Sequence, residues 1–212
     1  MTDRGIGKHV IVGITGASGA VYARRLLECL CDGGATVHLV VSPNGKRLLL
    51  DELGVTEVSA AALVGRDCER IVIHPYSDIG APIASGSFKT QGMIVCPCSS
   101  NTLAAIATGL AENLLHRAAS VTLKEMRRLV LVPREMPMDR IDLINALRLS
   151  EMRAVICPAS PGFYMMPKTI ADLVDSVVGK LLDLMDVPNR LNTRWADRLE
   201  ENRKQGRTGP IK

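Results

Sequence analysis

Arg134 and Glu135 stand side by side in the stretch VPREMP, between Pro133 and Pro137 and directly after an apolar run. A guanidinium in that position suits a phosphate held bidentately, and a carboxylate beside it can exchange protons with a leaving group. Packing explains both poorly. Upstream, Arg117 and Lys124 lie seven positions apart and so fall on about one face of a predicted helix. Alone they fit a solvated face; beside Arg134 they would complete a phosphate clamp.

A second group of residues is built from small side chains. Gly13, Gly16 and Gly19 are spaced G-x-x-G-x-x-G around Thr15-Gly16-Ala17-Ser18-Gly19, where a strand pattern gives way to a helix pattern. Glycine lets the backbone approach a ligand closely, and a helix N-terminus offers amides to an anion. The spacing is not the G-x-G-x-x-G dinucleotide fingerprint. A nicotinamide dinucleotide also calls for an acid at the end of the second strand, where this chain reads Val40-Val41-Ser42-Pro43. The stretch therefore favours a mononucleotide such as FMN, with an ordinary glycine turn as the alternative. Cys96-Pro97-Cys98-Ser99-Ser100-Asn101-Thr102 offers hydroxyls and an amide before another helix. They fit hydrogen bonds to a flavin ring edge or ribityl chain, and equally plain N-capping. In Pro158-Ala159-Ser160-Pro161-Gly162-Phe163-Tyr164, Tyr164 suits either donation to a phosphate or packing.

His9, His38, His74 and His116 have no metal-ligand spacing and read as structural or surface residues. The six cysteines form no C-x-x-C pair and sit in apolar surroundings, which fits reduced, buried thiols.

Loops that carry such residues need a scaffold. Runs at 9–14, 36–41, 71–74, 93–96, 129–132 and 155–157 read as strands, the third as an edge strand. Helical patterns fill 20–32, 43–53, 102–108, 114–127, 141–151 and 170–186. Ser42-Pro43 opens one of them with a cap followed by proline. Strands apolar throughout, alternating with helices, predict a parallel sheet covered on both faces. The expectation is α/β: a single Rossmann-like, doubly wound domain over 1–188, followed by a basic tail over 189–212. In such folds ligands bind beyond the carboxyl ends of the strands, which is where the loops described above fall.

Composition excludes several classes. No apolar run reaches the roughly 18 residues of a membrane span, and the N-terminal stretch has no signal-peptide core. A cytoplasmic protein is expected. The formal charge is +4, but residues 189–212 hold seven of the 26 Lys and Arg and three of the 22 Asp and Glu. The preceding part balances at 19 of each sign. With aromatics at 3%, stacking surfaces for bases are missing, so no nucleic-acid partner is expected.

Taken together, the loops resemble those of the UbiX/Pad flavin prenyltransferases. TGASGA (15–20), ASGSF (84–88), the run from GMIVCPCSSNTLAAIATG through RAASVTLKE to LVLVPREMPM, PASPGFYMMP (158–167) and DLVDSVVGKLLD match in order, from Val10 to about Trp195. The resemblance implies a metal-free transferase that uses reduced FMN as a substrate. It joins a dimethylallyl group from dimethylallyl monophosphate to flavin N5 and C6, and the prenylated FMN goes to a UbiD-type decarboxylase. It also implies a homo-dodecamer with FMN between subunits.

Carried over by position, Gly16, Ala17, Ser18, Ser42, Ser99, Ser100, Asn101, Thr102 and Arg134 correspond to flavin contacts. Arg117, Lys124, Arg134, Tyr164 and Lys180 correspond to the donor-phosphate clamp. Glu52 and Glu135, with Lys124, correspond to the groups that manage protons and the leaving phosphate. This chain departs from some members in having Ile79 where they have Trp, and Lys180 where they have Arg. The lysine keeps the charge and loses the bidentate fork.

Three alternatives belong beside this reading: an FMN-dependent cysteine decarboxylase, a direct aromatic-acid decarboxylase, and a flavin-carrying subunit without activity. The first uses PASANT and P-x-M-N-x-x-M-W motifs and an active-site His, where this chain has CPCSSNT, VPREMPM and no suitable His. The last has no need of Glu135 or Lys124.

Overall fold

A computed structural model describes residues 9–191. Six strands form one parallel sheet: β1 (His9–Ile14), β2 (Thr36–Val41), β3 (Ile71–His74), β4 (Gly92–Cys98), β5 (Arg128–Pro133) and β6 (Val155–Ile156). Their order is β3-β2-β1-β4-β5-β6, so the direction of winding reverses between β1 and β4. The helices are α1 (Ala20–Asp32), α2 (Pro43–Leu53), α3 (Ala60–Val64), α4 (Ser100–Ala107), α5 (Leu114–Lys124), α6 (Arg140–Glu151) and α7 (Ile170–Leu184).

Alternate residues of each strand feed two cores. Val10, Val12 and Ile14 point to the face covered by α1 and α7, against Leu26, Leu27, Leu30, Val178 and Leu181. Ile11, Met93, Val95 and Leu131 point to the other face, against Leu114, Leu115, Ala118 and Ala119 of α5. Two buried faces explain why the strands read as unbroken apolar runs. The expected doubly wound α/β fold is the one observed, and β3 is an edge strand. No described helix is long and apolar enough to cross a membrane.

Capping chemistry sets most helix starts. Ser42 accepts the Gly45 amide at 3.0 Å with Pro43 in the first turn, and Gly54 at φ 68° ends α2. Asp139 with Asp142, and Thr169 with Asp172, form capping boxes. The ends differ modestly from expectation. α5 stops at Lys124 and α7 at Leu184, each just before a residue of positive φ, Met126 and Asp186. α3 and a 3-10 turn at Pro82–Ala84 were not expected; both are too short to leave a periodic signal.

One glycine has a long-range role. A Cβ on Gly45 would lie 2.5 Å from the Ile14 carbonyl oxygen, so only glycine lets α2 begin against the end of β1.

Three of the four histidines form a row, while His116 pairs with Asn113 at the start of α5. His9 and His38 share a hydrogen bond of 2.9 Å, His38 and His74 one of 3.0 Å, and the Phe88 ring meets the first two edge-on. Burial, with the neighbouring His74 and His9, pushes His38 down to about 4.

Candidate active site

The loops after β1, β4 and β5 meet where β1 and β4 part. Thr15, 1% exposed, donates its hydroxyl to Pro97 O at 2.9 Å and accepts the Ser99 amide at 2.8 Å. From β5, Arg134 Nε donates to Ser18 O at 3.2 Å. Its neighbour Glu135 accepts the Ser100 hydroxyl at 3.3 Å. The PRE loop thus touches both the glycine turn and the serine turn, and three strand ends share one hydrogen-bonded network.

Glu52 enters this network from the last turn of α2. Its carboxylate accepts the Gly19 amide at 3.0 Å and the Ala20 amide at 2.8 Å, at the positive end of α1. Burial alone would raise its pKa. The Ser18 hydroxyl and these two amides, with the Arg134 charge nearby, outweigh burial and hold the carboxyl below its ordinary value. Glu52 therefore stays ionised, and it takes up the first amides of α1. Gly16, Ala17 and Ser18 precede these amides in the same turn, beside the capped start of α2. A Cβ on Gly16 would lie 2.6 Å from the Asn44 side chain, so this turn lies close against α2.

In the serine turn the two readings divide by residue. Ser99 caps α4, bonding to the Thr102 amide and hydroxyl at 3.4 and 3.1 Å. Asn101, two positions on, is exposed.

The remaining expected residues are dispersed. Tyr164 and Lys180 line a cavity of about 430 Å³ between the loop after β6 and α7, with Cys157, Ser160 and Asp183. Arg117 lies on α5, across the sheet, and its Nε donates to Ala84 O at 3.2 Å. Lys124 is the last residue of α5, four positions before β5 begins. It therefore sits at the amino ends of the strands, away from the PRE loop. One chain does not bring Arg117 and Lys124 together with Tyr164 and Lys180.

The cysteines of the crevice are not activated. All six cysteines are free, and burial pushes the Cys98 thiol up to about 12 and that of Cys96 up as well. Neither is a thiolate near neutral pH. Among the described residues no cluster of His, Cys, Asp and Glu could hold a metal. Thr15 is the functional candidate that sequence reasoning passed over. Its only signal is a hydroxyl at the end of an apolar strand.

A flavin prenyltransferase UbiX from Halalkalibacterium halodurans is 47% identical over 190 residues, covering 88% of this chain and 92% of that protein. The chain belongs to the UbiX flavin prenyltransferase family. The broader family described as Flavoprotein matches residues 3–187. A family member from Pseudomonas aeruginosa is 41% identical over 198 residues, covering 90% of this chain and 95% of its own. Among solved structures, AnUbiX in complex with FMN and dimethylallyl pyrophosphate superposes with a TM-score of 0.78 at 40% identity, over 85% of this chain and 93% of that one. A dodecameric FMN-dependent Ubix-like decarboxylase from Escherichia coli O157:H7 gives 0.80 at 43%, over 88% and 98%. The peptidyl-cysteine decarboxylase EpiD, at 17% identity and a TM-score of 0.55, shares the fold alone.

The residues of the crevice fit a flavin mononucleotide. Amides of the glycine turn lie beside the capped start of α2 for a phosphate, and Ser100 and Asn101 stand across the β1–β4 gap for polar flavin edges. Arg134 lies between them.

Proposed function

We propose that this protein is a flavin prenyltransferase that joins a dimethylallyl group from dimethylallyl monophosphate to N5 and C6 of reduced FMN. The observation that carries the reading is the network in which the PRE loop touches both the glycine turn and the serine turn. Bound reduced FMN supplies the electron-rich N5 and C6 of its ring as nucleophiles.

The protein's own groups have the remaining tasks. Gly16, Ala17, Ser18 and Ser42 hold the flavin's phosphate end. Ser99, Ser100, Asn101 and Thr102 form the opposite wall, and Arg134 lies between the two ligands. Arg117, Lys124, Tyr164, Lys180 and Arg134 receive the donor phosphate, whose negative charge grows as its allyl bond ionises; preorganised cations stabilise that charge. Glu135 exchanges a proton with a phosphate oxygen of the leaving group. Glu52, kept ionised, orients the Ser18 hydroxyl and steadies the turn.

The clamp residues lie apart within one chain, so the reading includes a homo-oligomer of dodecamer type in which neighbouring subunits complete each site. α6 supports it, because its outward side is apolar. Ile141, Leu143 and Leu147 are 65, 56 and 59% exposed while Asp142 and Asn145 are buried. The product is passed to a UbiD-type decarboxylase in the cytoplasm. Residues 1–188 form the flavin-binding domain and 189–212 a basic tail, most of it outside the described residues together with Trp195.

The test is incubation with reduced FMN and either dimethylallyl monophosphate or the pyrophosphate, with mass spectrometry of the flavin. A flavin heavier by one C5H8 unit supports the reading, and the preferred donor shows how Ile79 and Lys180 are tolerated. Unmodified flavin with either donor would overturn it. Loss of carbon dioxide from an aromatic or cysteinyl acid would point to the decarboxylases instead.

A further inference from the structure

The β1–β4 ladder pairs Gly13 with Val95 as its last regular rung. Beyond that rung the regular pairing gives way at the irregularity of β4 between Val95 and Cys98, and the loops of the two strands begin. Three further hydrogen bonds join the two loops, and all involve Thr15. Its amide donates to Pro97 O at 3.2 Å, and its hydroxyl donates to the same oxygen and accepts the Ser99 amide. Gly16 to Ser18 follow Thr15 directly on one side. Ser99, which opens the serine turn and caps α4, is held on the other.

We infer that Thr15 is a positioning residue for FMN: its hydroxyl fixes the separation of the two half-sites that grip the flavin. The inference rests on the FMN reading above. The hydroxyl is donor to one group and acceptor from another, and the side chain is buried, so it acts through its neighbours and does not touch the ligand. Valine has nearly the same shape but lacks both functions. It would leave the Ser99 amide without its acceptor, at the first residue of the turn that faces the flavin. A buried donor left unpaired is unfavourable enough to displace a loop or draw in water. Either change alters the gap between Gly16–Ser18 and Ser99–Asn101. Serine keeps both functions and should keep the gap.

The experiment compares the parent with Thr15→Val, Thr15→Ala and Thr15→Ser. FMN affinity is read by fluorescence quenching, thermal midpoint with and without FMN, and KM for dimethylallyl monophosphate at saturating FMN. Thr15→Val and Thr15→Ala should weaken FMN binding by roughly tenfold. Both should keep the donor KM within about twofold, and Thr15→Ser should bind FMN within about twofold of the parent. A fall in midpoint without loss of FMN affinity would mean that the hydroxyl serves stability only, and overturns the inference. So would a Thr15→Ser variant as weak as Thr15→Val, because the methyl group would then matter. If neither Thr15→Val nor Thr15→Ala folds, the link belongs to folding and the inference fails. A parent protein that binds no FMN would instead refute the flavin reading itself.

Discussion

Glu52 and Glu135 share a crevice and differ in what surrounds them. Glu52 is bound by the Ser18 hydroxyl and two helix-terminal amides, so it is anchored and ionised. Glu135 is exposed, with one hydroxyl from Ser100. Substitution should separate their roles. Glu135→Gln should retain FMN binding while single-turnover prenylation falls by roughly 10²–10⁴, the usual range for losing a general acid or base. A parent-like rate would make Glu135 structural. Glu52→Gln removes the charge at the start of α1 and should lower stability by about 1 kcal/mol, the usual worth of a cap, measured by denaturant titration. Arg134→Ala should weaken FMN binding and turnover together. Arg134 and Glu135 were legible in sequence because two charged residues between prolines at a strand end have no packing reason to be there. Thr15 was not, because the value of its hydroxyl lies in a loop 82 residues away.

At the scale of elements, local signals and tertiary ones part company. α1, α2 and β2 begin and end where their glycines, prolines and apolar runs say they should. The end of α5 at Lys124 is not legible in sequence, because Glu125–Arg127 are ordinary helix formers and only the turn into β5 breaks the helix. The histidine row was also illegible. Its members are far apart in sequence and meet only through the pairing of β1, β2 and β3. That row has a pH consequence. His38 titrates near 4 when folded, against about 6.5 when unfolded, so its contribution to stability is intact above 6.5 and lost as pH falls toward 4. Between pH 7.5 and 5 about 2 kcal/mol should disappear, and His38→Gln should flatten that slope in urea titrations at the two pH values. Gly45→Ala tests the β1–α2 contact. Helix propensity favours alanine by roughly 0.5–1 kcal/mol, but its Cβ would meet the Ile14 carbonyl at 2.5 Å. The clash should win, giving a lower thermal midpoint and weaker FMN binding.

At the scale of the whole molecule, the proposed homo-oligomer would account for parts that point outward. Lys124 lies at the wrong end of its own sheet for the PRE loop, and α6 shows an apolar side to solvent. Leu143→Glu with Leu147→Glu should therefore yield a smaller particle by light scattering, with prenylation lost and the far-UV spectrum retained. Mixing unfolded Lys124→Ala and Glu135→Gln chains and refolding them together should restore part of the activity that neither has alone, since some mixed sites contain both residues intact. Full inactivity of the mixture would place both residues in one subunit's site. The exposed apolar side of α6 also bears on the life of a newly made chain. If the proposed oligomer forms, a chain that has not yet met its siblings displays an oily ridge of the kind that chaperones hold and proteases attack. Survival should then depend on how fast siblings are met, and so on synthesis rate. A cell making few copies would lose a larger fraction of them than a cell making many, so the supply of enzyme should rise more steeply than its messenger.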